Sequence, residues 1–229
     1  MRRFWTQAEA VAGEGGWGVE LDGKPLRTPG KLPLAVPSEA LARAIASEWN
    51  EAADKVDPRV MPLTGLANAA IERVAPDAAG FAAGLARYGE ADLFCYRAEG
   101  PAKLVERQAA AWDPLLAWAR RRFDVDFVIT QGINHVPQPA GTAEQLGHAV
   151  TAMDAFRLAA LSPLVTIGGS LVAALAVAEE AFDAEPAWDA VSVDECWQIE
   201  TWGDDAEAVA MLKERKRDWM SAARFLRLL

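Results

Sequence analysis

Histidine, cysteine and the glycine signatures of nucleotide chemistry are nearly missing from this sequence. Only His135 and His148 occur in 229 residues, and neither sits in an HExxH pair or beside a cysteine ligand set, so a transition-metal site is not expected. His148, beside Leu146 and Val150 in a helical pattern, reads as a structural or surface residue. There is no GxxxxGK(S/T) loop and no GxGxxG turn after a strand, and Gly168-Gly169-Ser170 does not fit the GxSxG elbow. Those absences remove the usual phosphate cradles and the usual exposed serine nucleophile. Cys95 and Cys196 belong to no CxxC pair; they read as reduced core residues of a cytosol-like compartment, with a single bridge between them left open. The opening MRRFWTQ has neither the apolar core of a secretory signal nor an Arg/Ser-rich transit character, so the protein is expected to stay where it is made.

Positive charge is missing over a long stretch. From Leu158 to Leu212 no Lys or Arg occurs, and Lys213, Arg215, Lys216 and Arg217 then follow at once. Overall, 33 acids against 23 bases give a formal charge of −10. This balance argues against nucleic acid as a partner, because phosphate neutralisation supplies most of that affinity. It favours basic protein surfaces instead. Leu158 to Ala178 carries no charge and reaches the length of a membrane span. Ser162 and Pro163 are expected to break it, with Gly168, Gly169 and Ser170 after them, into two short helices of a soluble core without stable membrane insertion. A peripheral membrane protein is the reading this segment leaves open.

What is present is an ordinary globular composition, 52% hydrophobic and 24% charged, enough for a substantial core in one large or two modest domains. Trp17, Val19 and Leu21 alternate and meet Asp22-Gly23, the dipeptide of a two-residue hairpin turn, with Lys24 to Thr28 as the return strand. Leu32, Leu34 and Val36 offer another short strand. Ser38 caps a helix with Leu41, Ile45 and Trp49 in one stripe, able to cover that small antiparallel unit. The turn from Asp57 to Pro62, rich in proline, is the expected domain boundary, giving residues 1–60 and 61–229. Beyond it the pattern is almost wholly helical. Thr64 and Asp77 are expected helix starts, Pro101 opens a helix that Asp113-Pro114 kinks or restarts, and Thr142 with Gln145 forms a capping box. Val125, Phe127 and Ile129 predict one short strand. The fold class is therefore α+β: a small N-terminal antiparallel β unit with a covering helix and a larger C-terminal helical bundle.

The most unusual stretch is Asp194 to Ala208, DECWQIETWGDDAEA, with two tryptophans, a cysteine and six carboxylates. Ser192 and Glu195 read as a capping box and Gly203 as the stop. Both faces of the resulting helix mix acids with bulky apolar groups: Val193, Trp197 and Glu200 on one, Glu195, Ile199 and Trp202 on the other. Either these acids are solvated at a rim or paired with the arginines downstream, or one or two of them, Glu200 foremost, face a partner. Asp194, Glu195 and Glu200 also offer a carboxylate pair for acid–base work or a hard cation, a weak signal that any acidic helix provides.

Taken together, several strings resemble the assembly chaperones of the F-type ATP synthase catalytic head that act on the α subunit, the Atp-twelve family. They are Arg2 to Trp5, LDGKPLRTP at Leu21 to Pro29, Glu48-Trp49, DPRVMPLTGLANAAI at Asp57 to Ile71, ADLFCYRAEGP at Ala91 to Pro101, RQAAAWDPLLAWA at Arg107 to Ala119, Gly169 to Leu171, and the acidic stretch itself. The resemblance runs over nearly the whole chain. It implies a two-domain, non-enzymatic protein without a cofactor that holds the new α subunit until the β subunit replaces it. A bacterial cytoplasmic member is expected, eukaryotic relatives being in the mitochondrial matrix, and the free protein is expected to be monomeric. Glu200, Trp202, Asp204 and Glu207, with Asp194 and Glu195 beside them, are the candidate partner-binding residues. The alternative from another class is a carboxylate-dependent hydrolase or small-molecule binder using an inter-domain cleft.

Overall fold

The computed structural model describes residues 2–203 and 205–229. The chain divides into two compact units, one comprising residues up to Ala78 with 154–160 and 224–229, the other comprising 79–153 and 161–223. The first unit thus extends past the Asp57–Pro62 turn.

In the first unit four strands, β1 (Ala8–Gly13), β2 (Gly16–Leu21), β3 (Lys24–Pro25) and β4 (Ala35–Val36), form an antiparallel sheet. β2 is its centre. It pairs with β1 from Ala8↔Leu21 to Gly13↔Gly16, with β3 at Leu21↔Lys24 and with β4 at Trp17↔Val36. The Asp22-Gly23 turn has φ of 48° and 76°, the two positive values that a right-twisted hairpin requires. The Asp22 carboxylate accepts the backbone N–H groups of Thr6 and Gln7, each at 2.9 Å, and those donors hold it below the usual carboxylate range. β1 has no counterpart among the expected strands, because AEAVAG offers only one β-branched side chain; cross-strand pairing rather than propensity makes it a strand. Gly16 permits the crossing, since a Cβ there would lie 2.4 Å from the Val36 carbonyl oxygen. The return strand is short, as Pro25 and Pro29 restrict it: beyond Pro25 it keeps Leu26 N–H on the Val19 carbonyl at 2.7 Å, and Arg27 forms a single bridge with Pro33. Arg27 donates to the Lys31 carbonyl at 2.9 Å.

Helix α1 (Glu39–Glu51) is capped as its sequence predicts, the Ser38 hydroxyl accepting Leu41 N–H at 3.0 Å. Leu41, Ile45 and Trp49 are buried beneath it. Helix α2 (Pro62–Ala69) begins before Thr64, so Thr64 is not its cap. The start of α2 is satisfied from outside. Glu48 of α1 accepts Leu63 N–H and Thr64 N–H, both at 2.8 Å, and the Thr64 hydroxyl at 2.7 Å, while Trp49 Nε1 donates to that hydroxyl at 3.2 Å. Burial raises the Glu48 carboxyl above its ordinary range in spite of these donors. A π turn (Ala70–Val74) and a 3₁₀ turn (Ala75–Asp77) lead into α3 (Ala78–Ala86).

Among the described residues of the second unit, the strands are a two-residue parallel pair, β5 (Tyr96–Arg97) with β6 (Thr130–Gln131), in an otherwise mainly helical fold. The strand expected over Val125 to Ile129 does not form: Val125 and Phe127 are buried by their side chains, and the pairing falls on the two residues that follow. Helix α4 (Ala102–Phe123) runs through Pro114 without restarting. In α5 (Ala140–Thr151) Thr142 is already helical, and its hydroxyl donates to the Asp126 carbonyl at 2.5 Å rather than forming a capping box. Helix α6 (Ala155–Gly168) continues through Pro163; the break comes at Gly169, φ 66°, followed by Ser170, whose hydroxyl accepts Ala173 N–H at 3.0 Å and starts α7 (Leu171–Ala178). Helices α8 (Ala184–Val191), α9 (Val193–Trp202) and α10 (Ala206–Arg227) complete the chain. Among the described residues no helix is long and apolar enough to cross a membrane.

Asp92 ties this unit together. Its fully buried carboxylate accepts Phe94 N–H at 3.0 Å, the Ser170 hydroxyl at 3.0 Å and Val172 N–H at 2.9 Å. Burial nonetheless pushes its carboxyl up to about 6 from 3.8. Because the folded value lies above the unfolded one, the contribution to stability is fully present below pH 4 and is lost as pH rises through 6. The wild type should therefore gain about 2 kcal/mol from this group between pH 7 and pH 4. Urea titrations of the parent and of Asp92→Asn should diverge by that amount over this range, the variant being the less stable throughout; parallel pH profiles would refute the assignment.

Candidate functional site

The acidic stretch folds into α9 and the start of α10, both held by tryptophans. Trp112 Nε1 donates to the Ala190 carbonyl at 2.7 Å and Trp219 Nε1 to the Ala184 carbonyl at 2.9 Å, so α8, which leads directly into α9, is fixed from two sides. The indoles of Trp188 and Trp219 lie with centroids 5.9 Å apart. Gly168 lets the Trp219 ring in, since a Cβ there would stand 2.7 Å from its Cζ3.

Helix α9 starts and stops where expected, with Gly203 at φ 91°. Its start is not a capping box. The Ser192 hydroxyl is turned back to donate to the Trp188 carbonyl at 2.8 Å, and Glu195 is engaged elsewhere. Asp194 and Glu195 in the first turn suit the positive end of the helix dipole.

The local shortage of positive charge is made good from distant parts of the chain, downstream by Arg215 as one of the two expectations had it, and upstream by Arg107. Glu200 is held by both terminal nitrogens of Arg107, at 2.6 and 2.8 Å, a bidentate pair that holds its carboxyl below the usual range and raises the guanidinium. Glu195 accepts from Arg215 at 2.8 Å, and the other arm of Arg215 reaches the Ile167 carbonyl, also at 2.8 Å. Asp194 accepts from the buried Gln108 at 2.7 Å, whose own oxygen accepts Ala98 N–H at 2.8 Å. Asp205 caps α10 by accepting Glu207 N–H at 2.9 Å. Glu207 is exposed, and its carboxylate has no hydrogen-bond or ion-pair partner among the described residues. Asp204 lies outside the described residues.

Of nine tryptophans, Trp5, Trp49, Trp112, Trp188 and Trp219 are buried, whereas Trp202 is 79% exposed. It stands at the end of α9 beside a groove of about 630 Å³ formed with α10, walled by Ile199, Met211 and Leu212 and edged by Glu195 and Arg215. Met211 is 58% exposed. The structure therefore brings Trp202 and Glu195 to one groove, leaves Glu200 facing Arg107 on another side of α9, and leaves Glu207 in solvent just beyond. Arg107, Gln108, Met211 and Arg215 were not among the candidates. Arg107 and Gln108 are far away in sequence and carry no local signal; Arg215 is foreshadowed only by the step from acidic to basic residues.

Among the described residues no three His, Cys, Asp or Glu side chains are grouped to hold a metal ion. The two cysteines are separate and free, Cys95 buried and its thiol pushed up to about 12 by burial. Glu195 and Glu200 of α9 are occupied in ion pairs and Asp194 by Gln108, and the exposed groups beside them include the apolar Trp202 and Met211. Such a face is equipped to bind a protein surface.

The molecule is thus an α+β protein with an apolar, acid-edged helical face, the design of a binding protein. The family model of the ATP12 chaperone protein matches residues 2–120, and the chain belongs to that family. The crystal structure of Atp12 from Paracoccus denitrificans is 46% identical and superposes with a TM-score of 0.94 over 99% of this chain and 97% of that one. A putative chaperone from Agrobacterium tumefaciens is 37% identical, with a TM-score of 0.94 over 99% of this chain and 85% of that one. The mitochondrial protein atp12 of Schizosaccharomyces pombe is 24% identical across 98% of this chain and 81% of its own length. The protein is a chaperone of this family and not an enzyme.

Arg215 is the keystone of the groove, because it joins Glu195 of α9 to the end of α6. Replacing it by Met should keep the apolar stem but leave the Ile167 carbonyl unpaired, at a cost of about 1–2 kcal/mol. A fall in melting temperature of several degrees is expected; an unchanged melting curve would show that neither contact is made in solution.

Proposed function

We propose that this chaperone binds the unassembled α subunit of the F-type ATP synthase catalytic head, keeps it from aggregating and yields it to the β subunit. The observation that carries the reading is Trp202, a large aromatic side chain left 79% exposed beside an apolar groove edged with carboxylates, in a chain that buries most of its other tryptophans. A subunit awaiting its neighbour exposes apolar surface, and a transient cover needs one or two aromatic anchors rather than a wide permanent interface. Carboxylates around such an anchor steer a basic client towards it and leave affinity low enough for exchange. Trp202 and Glu207 serve as direct contacts in this reading, together with Asp204. Glu195 and Glu200 hold the helix through their arginines and present their outer edges to the client, and Asp194 flanks the opposite side. The work is done by a monomer in the cytoplasm of a bacterium.

Light scattering of isolated α subunit at an aggregating temperature tests this, with β subunit as the parallel client. An equimolar amount of the parent should suppress aggregation of α and not of β. Trp202→Ala should fold normally and weaken binding of α by about 2 kcal/mol, a loss of roughly 30-fold. Glu200→Lys, which sets a second cation against Arg107, should also protect less well. Full protection by both folded variants would place the client elsewhere.

A further inference from the structure

Trp202 borders a second groove as well as the first. On the other side of α9 a depression of about 710 Å³ is walled by Leu93, Tyr96, Leu104, Ile133, Trp197 and again Trp202. Gln198 and Trp202 belong to both walls, so the end of α9 is a ridge between two apolar grooves. The far wall of the second groove carries Ile133, which is 97% exposed on the loop after β6. It is the continuity of Ile133 with Trp202, Tyr96 and Leu104 along one groove, rather than its exposure alone, that makes an apolar patch of it. Met211 holds the corresponding position in the first groove.

The charges on these walls are of one sign once pairs are removed. Arg97 is matched by Asp113 at 2.6 Å and Arg215 by Glu195 at 2.8 Å. Among the described residues lining the two grooves, the carboxylates that remain without a cation are Glu99, Asp194 and Asp205, and no cation remains. Glu99 and Asp194 edge the second groove, Asp205 the first.

Resting on the chaperone reading above, we propose that the two grooves form one divided docking site whose occupant is an apolar segment of the client flanked by Lys or Arg. The segment lies across Trp202 and places one bulky apolar side chain in each groove, against Ile133 on one side and Met211 on the other. Its basic residues meet Glu99, Asp194 and Asp205. The client is gripped by two modest anchors across a ridge, and loss of either one suffices to start release.

The test uses the full chain, with isolated α subunit as the probe, in binding titrations and the aggregation assay together. Ile133→Asp and Met211→Asp are surface changes whose folding is checked by circular dichroism and melting. Each is expected to weaken binding about tenfold and the pair roughly a hundredfold, since the two positions do not touch and their effects should add. Glu99→Lys should weaken binding, and the parent's affinity should fall with added salt. If Ile133→Asp binds and protects like the parent while Trp202→Ala does not, the chaperone reading stands and the divided site is wrong. If the parent itself neither binds nor protects α, both are wrong. If sedimentation shows a dimer of the parent that Ile133→Asp abolishes, the second groove takes another copy of this chain and the proposal is overturned.

Discussion

A carboxylate taken out of water and surrounded by N–H and O–H donors fixes the second unit, and much of the rest hangs on it. Asp92 receives Phe94 N–H on its own side and the Ser170 hydroxyl and Val172 N–H from the start of α7. It thereby caps two helical segments that are nearly eighty residues apart. The segment it anchors runs on through Phe94 and Cys95, both buried, into β5 and the loop that floors the second groove. Burying an ion is costly unless its lone pairs are filled, and filling them with backbone donors turns the cost into a positional constraint. Glu48 plays the same part in the first unit, where it satisfies the start of α2 that no local side chain caps.

The tryptophans divide the labour differently. Trp5, Trp49, Trp112 and Trp219 each bury a large apolar area and still place the indole N–H on an oxygen: the Trp49 carbonyl, the Thr64 hydroxyl, the Ala190 carbonyl and the Ala184 carbonyl. A buried indole is acceptable only on those terms. With the scaffold held by these residues, the end of α9 and the first half of α10 can present Trp202 and Met211 to solvent, while the second half of α10 contributes Trp219 and Phe225 to the core. The acids of α9 are steadied in turn by Arg107 and Arg215, so the face offers an organised rim instead of a cloud of mutually repelling charge.

Local chemistry was legible where a residue acts on its sequence neighbours. Asp22-Gly23 specifies a hairpin by its backbone freedom, Ser38 caps α1, Leu41, Ile45 and Trp49 describe the buried stripe, and Gly203 stops α9. That chemistry was not legible where a side chain is captured by something remote. Ser192, Thr64 and Thr142 look like caps, yet their hydroxyls serve the Trp188 carbonyl, Glu48 and the Asp126 carbonyl. Pro163 looks like a break, but α6 passes through it and ends at Gly169.

From the sequence alone came the α+β class, the small antiparallel unit with its covering helix, the helical remainder, and the acidic tryptophan-bearing helix as the place to look. These follow from periodicity, turn residues and charge, which act over a few positions and need no folded context. Tertiary structure alone decided that Glu200 and Glu195 are partnered, that the half-buried Glu48 and the buried Asp92 serve helix starts, and that Trp202 is exposed while five other tryptophans are not. Burial and ion pairing depend on which distant segments arrive beside a residue, and spacing along the chain specifies a face without specifying what covers it.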